Sequence, residues 1–130
     1  MARHPRAIAW EEKLKEVFDV IDHELEDEYG DRYNLHPTRP SRGQTANPES
    51  DGLFNIGASF TAGYGSEHGR GYVINVRMVT LDQVSPDFQE KMEDEVVAKL
   101  RERLPAHFPG RDLRVERDGH VFKITGDLSL

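Results

Sequence analysis

Leu53-Phe54-Asn55-Ile56-Gly57-Ala58-Ser59-Phe60-Thr61-Ala62-Gly63-Tyr64 and Tyr72-Val73-Ile74-Asn75-Val76-Arg77-Met78-Val79-Thr80-Leu81 decide the fold. Both runs alternate apolar and small or polar residues with period two, the pleat of a half-buried strand. Phe54, Ile56, Ala58, Phe60 and Ala62 take one face, and Asn55, Gly57, Ser59, Thr61 and Gly63 the other. The glycine-rich stretch between the runs makes them a β-hairpin.

Downstream, Ser85 is a good N-cap, with Pro86 at N1 and Asp87 in a first turn that favours negative charge. Phe88, Met92, Val96, Leu100 and Leu104 recur at helical spacing, and Pro105 is expected to stop the helix. A second hairpin follows. Leu113–Arg117 and His120–Thr125 flank Asp118-Gly119, read as a two-residue type I′ turn. That turn sets Arg114 opposite Lys123 and Val115 opposite Phe122. It puts Leu113, Val115, Phe122 and Ile124 on the core face, with Arg114, Glu116, Val121 and Lys123 on the other.

Upstream, Trp10, Leu14, Val17, Phe18, Ile21, Leu25 and Tyr29 form one apolar stripe, a helix from about Ile8 to Tyr29. Its opposite face is acidic, Asp22 and Glu26 included, and reads as solvated. Residues 1–7 are expected to be flexible. Residues 35–52 form a long loop in which three prolines forbid a long helix, and loops of that length are functional or disordered.

The order α-β-β-α-β-β predicts an α+β fold: a two-layer sandwich with a four-stranded antiparallel sheet and two helices on one face. The tandem αββ units hint at a repeat, without fixing the strand order. At 130 residues the chain is expected to form a single domain.

Acidic residues number 24 and basic 17, a formal net charge of −7. That argues against nucleic acid and anionic membrane as partners. No apolar run approaches the roughly 18 residues of a membrane span, and the N-terminus lacks a signal-peptide pattern, so the expected location is cytoplasmic. Without cysteine there is no disulfide or thiolate chemistry. The turn Gly63–Tyr72 is neither a P-loop nor a dinucleotide fingerprint, and no cofactor is called for.

The open sheet face is the leading functional candidate. It gathers Ser59, Asn75, Arg77, Arg114 and Lys123, with His68 and Arg70 on the rim loop. Arg114 opposite Lys123 would be relieved by an anion, which points to a binding module for a small anionic ligand. The same face could hold a protein partner or a second copy of the chain, a homodimer using Val73, Val79 and Val121. Phe54, Phe60 and Phe122 are expected to point to the core, which argues against base stacking on the sheet. An alternative is a small hydrolase or lyase built on His36, Glu67 and His68 with Asp51, with or without a divalent metal. A third reading is a structural subunit of a larger assembly. Leu128 and Leu130 suggest a C-terminal extension that docks.

Overall fold

The structure, a computed structural model, describes residues 5–64, 66 and 68–128, without the side chains of residues 5–7. Helix α1 spans Pro5–Tyr29, strands β1 and β2 span Phe54–Thr61 and Gly71–Met78, helix α2 spans Pro86–His107, and strands β3 and β4 span Leu113–Asp118 and Val121–Gly126. The strands form one antiparallel sheet in the order β1-β2-β4-β3, and both helices pack against it. The fold is α+β, as the periodicities require. The order is what two αββ units give when their second strands meet at the centre.

Helix α1 starts at Pro5, where a missing N–H costs nothing. Residues 5–7 are helical, and residues 1–4 lie outside the described residues. The expected stripe is buried through Leu25, with Val17, Ile21 and Leu25 fully enclosed.

Helix α2 begins as its caps dictate, with the Ser85 side chain accepting from the Phe88 N–H. It does not stop at Pro105, which lies inside the last turn. The Phe108 N–H still reaches the Leu104 carbonyl at 2.9 Å, and the Phe108 ring docks on Trp10 at 4.3 Å between centroids. Tertiary packing outweighs the bond that Pro105 removes.

The second hairpin corrects the expected register. Asp118 pairs with Val121, so the loop residues are Gly119-His120, Glu116 faces Lys123, and Arg114 faces Thr125. Gly119 has φ +65° and no non-glycine residue has positive φ among the described residues. Positive φ at the first loop position alone is the type II′ pattern, whereas type I′ would need it at both. Each partner shifts by two residues, so face assignments survive: Val115 and Ile124 are buried core and Leu113 and Phe122 pack against it. The Arg114–Lys123 conflict does not exist.

Phe60 also departs from expectation. It keeps core-face parity and stacks edge-on to Tyr72 at 5.6 Å, yet it is 58% exposed.

Candidate functional site

The open-face residues do not converge. Asn75 donates to the Ser59 hydroxyl at 3.3 Å, both side chains being exposed. Asn75 and Arg77 edge a 420 Å³ cleft between β2 and β4, with His120 and Val121 across it and Glu93 of α2 below. This cleft exists because β2 and β4 pair only at Tyr72–Ile124 and Val73–Lys123. Beyond that point the Gln89 side chain caps the Val76 carbonyl at 3.0 Å. Arg114 lies elsewhere. It faces Thr125, whose row continues to Gly71 of β2, six residues before Arg77; at about 3.3 Å per residue that is roughly 20 Å.

Lys123 was expected as an exposed charge donor, but it is 2% exposed. Its ammonium donates to Asp118 Oδ2 at 2.8 Å, the Gly69 carbonyl at 2.7 Å and the Ser66 hydroxyl at 3.1 Å. Three donors are thereby used, and Lys123 staples the β1–β2 loop onto the second hairpin. The His68 N–H joins the same Asp118 oxygen at 3.2 Å. The loop closes where Gly63 meets Gly69, so tightly that a Cβ on Gly63 would overlap the Gly69 carbonyl. Arg70 is exposed. Lys123→Met is expected to cost about 3 kcal/mol, because a buried pair loses one partner, and to open the loop to protease. Unchanged denaturant midpoint and unchanged cleavage would refute the staple.

The histidine composite is not assembled either. The His36 N–H bonds the Val79 carbonyl, just past one end of β2, while His68 precedes the other end. Eight residues of strand separate them, roughly 25 Å. Asp51 is engaged by the Thr45 N–H and hydroxyl at 2.9 and 2.8 Å, and Glu67 lies outside the described residues. Among the described residues, no group of three or more His, Cys, Asp or Glu could hold a metal ion.

What the sequence reading missed lies along α1 and β1. Asp22 and Glu26, expected on a solvated face, are 2% and 8% exposed, because residues 34–52 fold over that side of the helix. Arg39 organises this loop. Its guanidinium donates to the carbonyls of Gly52 (3.0 Å), Glu49 (2.6 Å), Asp51 (3.1 Å) and Phe54 (3.1 Å). Burial pushes the Asp22 carboxyl up to about 8, helped by Glu26, Asp19 and Asp51, with Arg39 opposing. Among the described residues its Oδ2 has no hydrogen-bond partner. Burial also raises Glu26, against the N–H of Phe54. Burial opposes ionisation of Asp51 too, but the Thr45 donors outweigh it and hold Asp51 below its ordinary value.

These side chains finish one part of a sheet edge. The Val79 N–H bonds the Leu53 carbonyl, so odd residues from 53 onward bond β2 and even residues of β1 turn their N–H and C=O outward. At Phe54 the outward N–H goes to Glu26 Oε1 at 2.8 Å and the outward carbonyl to Arg39. The short 3₁₀ turn Pro48–Ser50 packs beside the same half of the strand, and Ile56 is 2% exposed. The other half is open. Ala58 and Phe60 have no partner for their outward backbone groups among the described residues, and Ser59 and Phe60 are exposed. No residue of Phe54–Thr61 is charged.

The opposite edge differs. Strand β3 carries Arg114, Glu116, Arg117 and Asp118, and Arg101 caps its Val115 carbonyl at 2.7 Å. Charges and caps are how sheet edges avoid adding strands. One edge is defended and half of the other is not. The uncharged run in β1 is legible in the sequence, but its place at an edge is not.

A family model described as "Uncharacterised protein" matches residues 5–126. A Borreliella burgdorferi protein described as "Uncharacterized protein" is 43% identical over 106 residues, covering 82% of this chain and 83% of its own. No solved structure matches. Among the described residues, no helix is long and apolar enough to cross a membrane. With 122 consecutive positions matched, from Pro5 to Gly126, the chain belongs to the uncharacterised-protein family.

Proposed function

We propose that this protein is a non-enzymatic interaction module that takes a partner chain as an added strand on the open half of β1. The observation that carries this reading is the uncharged edge at Ala58–Phe60, uncapped among the described residues, beside the exposed rings of Phe60 and Tyr64, which are 58% and 96% exposed. Main-chain bonds along such an edge supply affinity, and neighbouring pockets supply selectivity. The anion reading of the open face loses support because Lys123 is enclosed and Arg77 and Arg114 stand apart.

A hexapeptide alternating valine and glutamine is the direct probe. Titrated into labelled protein, it is expected to move the amide signals of Ala58 to Ala62. Ala58→Pro removes an outward N–H where an edge strand tolerates proline, and should abolish the shifts with the circular dichroism spectrum unchanged. Shifts centred on Asn75, Arg77 and His120 instead would overturn the proposal and favour the cleft between β2 and β4.

A further inference from the structure

We infer that the strand added to β1 is cationic: an extended segment of another protein carrying lysine or arginine among apolar side chains. This rests on the strand-addition reading and names the chemistry of its partner. A 340 Å³ groove runs beside the β1 edge, between the strand and the N-terminal half of α1. Its floor is apolar, with Leu14, Phe18, Ile56 and Tyr72.

The rim of the groove is acidic. Glu11, Glu12 and Asp19 line it from the helix side and Glu49 from beyond the strand. The one lysine there, Lys15, is bonded to Asp19 at 2.8 Å. Gly57 points to the open face, and Glu49 Oε2 lies 3.9 Å from where its Cβ would sit. Carboxylates therefore flank both faces of the edge. Side chains of an added strand alternate between those faces, so a basic residue of either parity meets an acid. A second copy of this chain fits poorly, because its β1 is uncharged and its own acidic rim would meet an identical one.

Three peptides of equal length and identical apolar positions test this, with lysine, glutamine or glutamate at the alternate positions. Titration calorimetry is expected to give at least tenfold tighter binding for lysine than for glutamine, and none for glutamate. Raising salt should shrink the difference. The double variant Glu12→Gln, Glu49→Gln should lose most of the lysine preference while keeping the glutamine affinity. Equal binding of all three peptides, blocked by Ala58→Pro, would leave strand addition standing and overturn the cationic partner. Binding by none would overturn both. Lysine-peptide binding indifferent to Ala58→Pro would mean general attraction to an acidic surface, and overturns both. A dimer in sedimentation, abolished by Ala58→Pro, would make the occupant a second copy and overturn the inference.

Discussion

Arg39→Ala is expected to destabilise the protein by about 4 kcal/mol. One guanidinium serves four backbone carbonyls, those of Glu49, Asp51, Gly52 and Phe54. Hydrogen bonds to charged donors contribute roughly 1.5–3 kcal/mol each when measured singly, and shared donors do not add in full. Once it is gone, the 34–52 loop keeps Thr45–Asp51 and the ion pair of Arg42 with Asp27, 2.6 Å and largely exposed. An exposed pair of that kind contributes at most about 1 kcal/mol. Arg39→Lys should rescue little, since a single ammonium cannot reproduce the planar fork. Denaturant unfolding at constant m-value measures the loss, and limited proteolysis should show new cuts between residues 41 and 47. A loss under 1 kcal/mol with no new cut would show that the loop is held by something else.

Asp22→Asn is expected to act in the opposite direction. The folded-state pKa of Asp22 stands at about 8, against 3.8 when exposed. Between those values the folded protein holds a proton that the unfolded chain has released. The contribution of Asp22 to stability therefore falls as pH rises from 3.8 to about 8 and is constant above. The groups around Asp22 reinforce this: Asp19 and Glu26 lie on the same helix, and Asp51 faces it from the loop, with Arg39 as the opposing charge. Glu26, also raised by burial, contributes with the same sign. Asparagine keeps the shape and removes the ionisation. The variant should match the native protein near pH 4 and exceed it at pH 8 by on the order of 3 kcal/mol. Thermal denaturation across pH 4 to 9 reads the two curves; parallel curves would show that Asp22 does not titrate in this window.

Both predictions concern side chains that the sequence does not mark. Residues 34–52 read as functional or disordered, because nothing local says that Arg39, set between Pro37 and Pro40, will turn inward. Asp22 and Glu26 stand next to Ile21 and Leu25 on the helix, but their burial depends on a loop packed over α1. Such long-range coverage leaves no periodic trace. The elements themselves are legible because helix and strand periods are local. So are the faces of the second hairpin, since a shift of two residues preserves parity. Its register is not: Asp118-Gly119 and Gly119-His120 both place a glycine in the loop, and they differ only in which turn type the strands accept.

The candidate site follows the same division. Ser59, Asn75 and Arg77 do lie on the open face, as alternation requires. Lys123 has the right parity but is roofed by a loop whose path the sequence cannot give. The exposure of Phe60 and the openness of the β1 edge depend on strand order, which no local pattern encodes. Once the order β1-β2-β4-β3 is known, the lack of charge in Phe54–Thr61 becomes informative.

Amide hydrogen exchange along β1 in the isolated protein, at low concentration, decides whether the edge is free to take a strand. Slow exchange is expected for Gly57, Ser59 and Thr61, which turn toward β2, and for Phe54, which Glu26 holds. Fast exchange is expected for Ala58 and Phe60, which turn outward to no partner among the described residues. Slow exchange at Ala58 and Phe60 would mean that the edge is already covered, and the strand-addition account would fall.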